Sequence, residues 1–206
     1  MAYTILIIDF GSQLTQLIAR RLRETGVYTE ILPCTTAPHN IAAAAPKGII
    51  LSGGPLNVYD LKKYSFDKNI IQKKIPILGI CFGHQLLCKS LGSEVTRAEK
   101  MSSGIWEMVL NEDGMSDELF ESRWQSGRGP EVVYSHQDHV ITVPENCILL
   151  GSAEHNPVTA VSVVDSHQRK MPAWGVQFHP EAARHRIQRA FEWGHITEAE
   201  MLSFQK

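Results

Sequence analysis

The sequence predicts an α/β fold in which helices flank a doubly wound, mostly parallel sheet, with a smaller antiparallel strand element in the second half. Short apolar runs alternate with helical patterns in the first half of the chain, and this order is typical of a parallel sheet covered on both faces. Strand patterns dominate the second half. The length of 206 residues suits a single domain spanning residues 1–206, with a helical tail over about residues 183–206.

The elements of the first half follow from apolar runs that are bounded by glycine. Residues 4–10 are nearly continuous in Ile and Leu, as in a buried strand, and the turn after them contains Ser12, a candidate helix cap. The helical pattern that follows ends at Gly26. Further predicted strands cover residues 27–32, 48–52 and 75–80, and further predicted helices cover residues 40–45, 66–74 and 84–91.

The elements of the second half supply the antiparallel part of the fold. A short helix is predicted over residues 117–122, and a polar, Gly-containing stretch at residues 123–130 predicts a loop. The predicted strands cover residues 94–97, 105–110, 132–135, 148–153, 158–164 and 173–178.

Composition argues against several classes of function. The formal charge is −2, from 20 basic and 22 acidic residues, so the basic face expected of a nucleic-acid or anionic-membrane binder is missing. No stretch approaches the roughly 20 apolar residues that cross a bilayer, and Asp9 interrupts the N-terminal apolar run, so no signal peptide is predicted. The four cysteines form no CxxC pair, and we expect them to be reduced thiols in a reducing compartment. We therefore expect a cytoplasmic protein without a nucleic-acid or membrane partner.

The sharpest chemical signal is the sequence GICFG at residues 79–83, where a buried strand turns into a helix. A nucleophile elbow has this form, with small residues on both sides of the nucleophile, here Cys81. The N-terminus of the following helix favours a thiolate, and the N–H of Phe82 is placed to bind a developing oxyanion. The alternative is a cysteine that packs as a small hydrophobe in a core strand, and these five residues alone do not decide between the two.

A base and an orienting group for such a thiol occur together at His179 and Glu181. His179 would take the thiol proton, and Glu181 would hold the imidazole in the required tautomer. The motif follows a predicted strand, as Cys81 does, and active sites in doubly wound folds lie at the carboxyl ends of strands. Taken alone, a His-Pro-Glu sequence more often lies in an exposed loop. Its occurrence together with the elbow makes the catalytic interpretation more favourable.

A third motif, Ser-Gly-Gly-Pro at residues 52–55, also follows a buried strand. Glycines let a backbone approach a ligand closely and present its N–H groups, so Gly54 is a candidate second oxyanion donor. A phosphate-binding loop is disfavoured because neither a full GxGxxG nor a Walker pattern is present. A plain tight turn is the alternative that these four residues alone leave open.

Together the three motifs resemble the class I (triad) glutamine amidotransferases, whose pattern is a Gly-Gly-Pro loop, a glycine-flanked cysteine elbow and a terminal His-Pro-Glu in this order. The resemblance covers roughly residues 4–182 and is most marked to the glutaminase domain of the GMP synthase branch. The sequences that carry this second resemblance are DFGSQ at residues 9–13, TQLIARR at 15–21, Val58-Tyr59, and Ser135-His136 with Asp138.

The resemblance implies a mechanism. Cys81 attacks the side-chain amide of L-glutamine, and backbone N–H groups at Gly54 and Phe82 hold the oxyanion. His179 protonates the departing ammonia, while Glu181 holds the imidazole of His179 in place. Water then releases glutamate from the thioester.

The resemblance also implies contacts and partners. Residues in substrate-binding positions are Gly53, Gln85, Ser135 and His136. Ammonia passes to a synthase subunit or domain, which in the GMP synthase branch of purine biosynthesis is of the ATP-pyrophosphatase type. No metal or organic cofactor is implied for the glutaminase step. A metal site at His136 and His139 is disfavoured, because no second group of ligands has a diagnostic spacing.

Three departures from the family pattern leave the biological role open. No segment resembles the nucleotide loop of the GMP synthase partner domain, so this chain alone is not expected to make GMP. Residues 103–105 read SGI where the GMP synthase branch has Glu-Phe/Tyr-Gly, and residues 182–206 leave the pattern. A cut-out domain, a stand-alone paralogue and a separate subunit all fit. Two other functions remain as alternatives, a γ-glutamyl amide or peptide hydrolase and a non-enzymatic regulator.

Overall fold

The computed structural model describes residues 4–59, 68–120 and 131–182. The strands in this part of the chain are β1 (Thr4–Asp9), β2 (Tyr28–Pro33), β3 (Gly48–Leu51), β4 (Ile77–Ile80), β5 (Val95–Glu107), β6 (Val109–Leu110), β7 (Glu131–Val140), β8 (Cys147–Ala153), β9 (Asn156–Val164) and β10 (Lys170–Val176). The α-helices are α1 (Thr15–Glu24), α2 (Pro38–Ala43), α3 (Phe82–Ser90) and α4 (Glu112–Met115), and Lys68–Lys73 forms a 3-10 helix.

The described strands form two sheets. The larger has eight strands in the order β2-β1-β3-β4-β10-β9-β8-β6, and β5 pairs with β7 in a separate antiparallel sheet. The pairs from β2 to β10 are parallel, whereas β9, β8 and β6 join in antiparallel orientation at the far edge. The predicted fold class, a mostly parallel sheet with a smaller antiparallel element in the second half, is confirmed.

The register of the parallel strands aligns the carboxyl ends of β1, β3, β4 and β10 at one edge of the sheet. Leu51 of β3 pairs with Ile8 of β1 and with Gly79 of β4, and Gly79 pairs in turn with Gly175 of β10. The segments that follow these strands therefore leave the sheet side by side. Functional side chains of doubly wound folds lie at this carboxyl edge.

Alternate residues of the central strands face two hydrophobic layers. Leu6 and Ile8 of β1 pack in one layer with Leu86 of α3, whereas Ile7 of β1 packs in the other layer with Ile18 of α1. Each of these side chains is at most 5% exposed, and burial on this scale contributes about 2 kcal/mol per side chain. The sheet is thus fixed between helices on both faces.

The short helix predicted over residues 117–122 is absent at residues 117–120, which form a bend and a turn, and residues 121 and 122 lie outside the described residues. The helix in this region is α4, which lies earlier because the side chain of Asn111 caps its start by accepting a backbone N–H at 2.8 Å. Asp117, inside the predicted helix, is buried instead, and it accepts hydrogen bonds from Lys170 Nζ and Trp174 Nε1 at 3.0 and 2.9 Å.

Other boundaries shift in the structure. The strands predicted over residues 94–97 and 105–110 correspond to one long strand, β5, followed by the short β6, and the helix predicted over residues 66–74 is a 3-10 helix. The predicted loop at residues 123–130 and the helical tail over residues 183–206 lie outside the described residues. Of the helices that are described, none is long and apolar enough to span a bilayer.

His84 is a fully buried titratable residue on α3. Its Nε2 donates to Val158 O at 3.0 Å, and its Nδ1 lies 3.6 Å from the sulfur of Cys88. Burial lowers the pKa of His84 to about 4, although the hydrogen bond to Val158 acts in the opposite direction. The imidazole is therefore neutral in the folded protein at neutral pH.

This buried histidine predicts a loss of stability in mild acid. Between a pKa of about 4 in the folded chain and the ordinary value of 6.5, the unfolded chain binds a proton that the folded chain does not. The free energy of unfolding should therefore fall with decreasing pH in this range, with a contribution from His84 of about 1.4 kcal/mol per pH unit. Urea unfolding should show a shallower pH slope for His84→Gln than for the exposed control His167→Gln. Equal slopes for the two variants would contradict the prediction.

Candidate active site

Cys81 occupies a strained turn between β4 and α3. Its backbone angles, φ 52° and ψ −104°, lie outside the regions that L residues prefer, a conformation that costs about 1–3 kcal/mol and is concentrated at active sites. Cys81 N donates to Val176 O of β10 at 2.8 Å, and Gly83 N donates to Ser52 O at 3.1 Å. The two neighbouring strands thus hold the turn in place.

Close backbone contacts explain the glycines that flank Cys81. A Cβ atom at Gly83 would lie 2.2 Å from Leu51 O, and a Cβ atom at Gly79 would lie 2.6 Å from Gly83 O. No side chain fits at such distances. A nucleophile elbow accounts for these contacts and for the strained backbone, whereas a cysteine in a plain core strand accounts for neither.

Two features of the surroundings bear on the sulfur of Cys81. The cysteine is the residue before α3, so the positive end of the helix dipole lies beside it. Gln177 Nε2 also donates to Cys81 Sγ, at 3.7 Å, and Gln177 Oε1 accepts from Gln85 Nε2 at 3.3 Å. The sequence reasoning missed Gln177, which is fully buried. Its signal was a polar residue within the apolar run that leads to His179.

His179 and Glu181 form a buried pair next to Cys81. His179 Nδ1 lies 2.8 Å from Glu181 Oε1, and the two residues are 6% and 4% exposed. Burial opposes a charge on His179, but the Glu181 carboxylate, and then the nearby Cys81 sulfur, raise the pKa of His179 well above its usual value. The arrangement therefore favours an imidazolium at His179. Glu181 Oε2 has no hydrogen-bond partner among the described residues.

The loop after β3 lies against His179 of the His179–Glu181 pair. A Cβ atom at Gly53 would lie 3.1 Å from His179 Cε1 and 3.6 Å from Cys81 Cβ, so Gly53 fills the space between the candidate base and the candidate nucleophile. Gly54 and Phe82, the candidate oxyanion donors, line a cavity with Cys81. Gly53, Gly54, Cys81, Phe82 and His179 thus lie close together in the structure. Gly53 is not among the described residues that line this cavity.

The first cavity has a volume of about 260 Å³ and lies between the loop after β3, the elbow and the sheet of β5 and β7. Gln85 and Arg97 line it with polar side chains: Gln85 Nε2 donates to Asp138 O at 2.6 Å, and Arg97 Nη2 donates to Gln137 Oε1 at 2.7 Å. Its described lining residues are Gly54, Pro55, Leu56, Asn57, Cys81, Phe82, Gln85, Arg97, Ser135, His136, Gln137 and Asp138. Three of the four residues predicted to bind substrate, Gln85, Ser135 and His136, are therefore in this lining.

His136 presents a hydrogen-bond acceptor in this lining. Its Nδ1 donates to the backbone carbonyl of Asp138 at 3.0 Å. Burial lowers the pKa of His136 to about 3, although this hydrogen bond acts in the opposite direction. The ring is therefore neutral, and its Nε2 is a buried acceptor that no group in the described part of the chain satisfies.

A second cavity, of about 320 Å³, is also lined by Cys81. It shares Gly54, Pro55, Cys81 and Ser135 with the first cavity, and its other described lining residues are Gly11, Ser12, Gln13, Leu14 and His179. Ser12 does not cap α1 as predicted, because α1 begins at Thr15 and the Oγ of Ser12 accepts from Leu14 N at 3.1 Å within the loop. This cavity had no signal in the sequence beyond the resemblance at residues 9–13.

A cysteine on a strained elbow, beside a buried His–Glu pair at the carboxyl edge of a doubly wound sheet, is typical of enzymes that form a covalent intermediate on sulfur. A family model of the class-I glutamine amidotransferases matches residues 6–191. The chain belongs to this family, which confirms the resemblance seen in its motifs.

The similarity extends to the GMP synthase branch. The glutamine-hydrolysing GMP synthase of Wolinella succinogenes is 43% identical over 179 residues, which are 86% of this chain and 33% of that protein. The corresponding enzyme of Synechococcus sp. is 44% identical over 177 residues, 86% of this chain and 31% of that protein. The chain thus spans about a third of the length of these curated relatives.

Solved structures agree with this placement. A Thermoplasma acidophilum protein described as one subunit of a GMP synthase has a TM-score of 0.74 and 27% identity, and the match covers 88% of this chain and 86% of that one. A glutamine amidotransferase of Thermotoga maritima shares the fold, with a TM-score of 0.73 and 21% identity over 94% of this chain and 82% of that one.

The geometry of the His–Glu pair predicts a measurable change in the pKa of His179. Glu181→Gln keeps the size of the side chain and removes its charge, so the pKa of His179 should fall because the adjacent opposite charge is lost. NMR titration of the imidazole, assigned with a His179→Gln variant, measures this value. Glu154→Gln, which removes an exposed carboxylate, is the matched control. A pKa of His179 that does not change in Glu181→Gln would contradict the prediction.

Proposed function

We propose that this chain hydrolyses L-glutamine to glutamate and ammonia through a thioester on Cys81, and that the ammonia passes to a synthase partner. The observation that carries the proposal is the placement of Cys81, on its strained turn, beside the buried pair of His179 and Glu181, whose Nδ1 and Oε1 atoms are 2.8 Å apart. Membership of the class-I glutamine amidotransferases and the identity to glutamine-hydrolysing GMP synthases support the choice of substrate.

The first half of the reaction forms the thioester. The Cys81 thiolate attacks the carbonyl carbon of the glutamine side-chain amide, and a C–S bond forms. We assign the backbone N–H groups of Gly54 and Phe82 to the oxyanion, because both residues line the cavity beside the sulfur. The C–N bond then breaks, and the departing nitrogen takes the proton held by His179, so ammonia leaves.

The second half releases glutamate. Neutral His179 takes a proton from a water molecule as the water oxygen attacks the thioester carbon. The C–S bond then breaks, which restores the thiolate beside the imidazolium. Glu181 stays ionised throughout and holds the tautomer of His179 through its contact with Nδ1.

The first cavity suits the amino acid end of glutamine. Arg97 and Asp138, which line it, carry the two charges that match an α-carboxylate and an α-ammonium group. His136 Nε2 offers an unsatisfied buried acceptor. We therefore assign substrate binding to these three residues together with Gln85 and Ser135, with no metal or organic cofactor for this step.

The proposed partner is an ammonia-accepting synthase. The matched region corresponds to a third of the curated GMP synthases, and the comparable Thermoplasma protein is described as one subunit of such an enzyme. These relationships support a single glutamine amidotransferase domain, spanning residues 1–206, that acts in the cytoplasm with a partner of the ATP-pyrophosphatase type in purine biosynthesis.

A covalent label tests the nucleophile. Incubation with a diazo-ketone analogue of glutamine should add a single adduct to the intact mass, and peptide mapping should place it on Cys81. Cys81→Ala should give no adduct, whereas Cys34→Ala, which removes a half-buried thiol elsewhere in the fold, should label as the wild type does. An adduct on another residue, or none, would contradict the assignment of Cys81.

Arg97 provides a test of the substrate contacts. A hydrogen bond to a charged group is worth about 1.5–3 kcal/mol, so Arg97→Gln should raise the KM for glutamine by roughly tenfold to a hundredfold with little change in kcat. Arg169→Gln, which removes an exposed arginine paired with Asp165, is the control. The assignment fails if both variants keep the wild-type KM, and a preference for γ-glutamyl conjugates over glutamine would argue for the hydrolase alternative.

A further inference from the structure

Gln177 is a fully buried residue that the proposed mechanism leaves without a role. It follows the last residue of β10, and its Nε2 donates to Cys81 Sγ at 3.7 Å. We propose that Gln177 is a further catalytic residue, whose side-chain amide stabilises the negative charge that develops on the sulfur when the thioester breaks. This inference rests on the proposed glutaminase function.

The orientation of the Gln177 amide follows from a backbone carbonyl. Asp138 O can only accept a hydrogen bond, so the atom of Gln85 that faces it at 2.6 Å is the donor Nε2. The same nitrogen faces Gln177 at 3.3 Å, so the atom that Gln177 presents to it is the acceptor Oε1. The other end of the Gln177 amide, the donor Nε2, is therefore the end that faces Cys81.

Backbone hydrogen bonds hold donor and acceptor in place. Gln177 N donates to Thr159 O of β9 at 2.8 Å. Cys81 N donates at 2.8 Å to Val176 O, the carbonyl that immediately precedes Gln177. The main chains on both sides of the contact are thus fixed to the same sheet. A donor that is oriented before the reaction needs no reorganisation when charge develops, which is the basis of electrostatic catalysis in buried sites.

The contact acts when glutamate is released. Water attacks the thioester carbon and gives a proton to His179, the C–S bond breaks, and the electron pair of that bond stays on the sulfur. The sulfur therefore leaves as a thiolate. Sulfur in a neutral thioester is a weak acceptor, whereas hydrogen bonds to an ionised acceptor are roughly twice as strong as neutral ones. The amide of Gln177 thus stabilises the departing sulfur more than the thioester, and such differential stabilisation accelerates the step.

Other surroundings of the sulfur increase the need for a donor. Cys81 Sγ lies 4.0 Å from Ser135 O, which accepts from the thiol. A carbonyl oxygen has no proton to offer, so its partial negative charge opposes a thiolate. Cys81 is also only 5% exposed, so bulk water does little to solvate the charge. An oriented N–H group of Gln177 offsets both effects, since hydrogen bonds are electrostatically stronger in a buried site.

The amount of thioester tests this role. Gln177→Glu keeps the shape of the side chain and replaces the donor nitrogen with an oxygen, and Gln177→Met keeps its length without a donor. Each should lower kcat about tenfold or more. Intact-mass spectra of samples quenched in acid during turnover should also show a larger fraction of the chain as the glutamyl thioester than in the wild type, because thioester breakdown is the slowed step. Gln168→Glu, which changes an exposed residue, is the matched control and should equal the wild type in both measurements.

Glutamine binding separates this role from an indirect effect through Gln85. In the Cys81→Ala background, Gln177→Met should leave the Kd for glutamine, measured by calorimetry, unchanged. Equal urea midpoints for the wild type and the Gln177 variants establish that the variants are folded. The inference is overturned if both variants keep the wild-type kcat, if kcat falls without a rise in the thioester fraction, or if weaker glutamine binding accounts for the loss of activity.

These outcomes leave the proposed function intact, because the wild type would still hydrolyse glutamine. A wild-type chain that neither hydrolyses glutamine nor takes the diazo-ketone label would defeat the proposed function, and the inference with it.

Discussion

The backbone conformation at Cys81 is the constraint on which the rest of the site depends. A φ of 52° with a ψ of −104° is unfavourable for a cysteine, and the sheet maintains it through hydrogen bonds from the turn to Val176 on one side and Ser52 on the other. The close approach of Gly83 to Leu51 leaves no room for the turn to relax. The strain is therefore offset by the parallel core, and the loop after β3, Cys81 and His179 follow three adjacent strands, β3, β4 and β10, in fixed relative positions.

Charge is the second constraint, because Glu181 and His179 lie together with Cys81 where water has little access. The three residues are between 4% and 6% exposed. Isolated charges in such a place would be strongly destabilising. The Glu181 carboxylate is compensated by the imidazole of His179, and the amide of Gln177 and the N-terminus of α3 lie beside the sulfur of Cys81.

The sequence predicted those features that are encoded locally. Apolar alternation was enough for the fold class, and the elbow and the His-Pro-Glu motif were enough to nominate Cys81, His179 and Glu181, which the structure places together. The roles of these residues stay a prediction. Features that depend on contacts between distant parts of the chain could not be predicted from the sequence. Gln177 has no distinctive spacing, and the second cavity is assembled from segments far apart in the chain. Residues 117–120 are not helical, because Asn111 caps the earlier helix α4 and Asp117 is buried.

Part of the lining of the first cavity belongs to a different sheet from the one that holds the elbow. Ser135 and His136 belong to the antiparallel ribbon of β5 and β7, whose strands pair with each other and not with the strands of the main sheet in the described part of the chain. Ser103 pairs with Ser135 across this ribbon, so the segment at residues 103–105 that departs from the GMP synthase pattern lies directly opposite a residue proposed to bind substrate. The ribbon is tied to the catalytic edge through the hydrogen bond from His179 N to Val133 O, so we expect divergence in the ribbon to alter which amide donor is accepted.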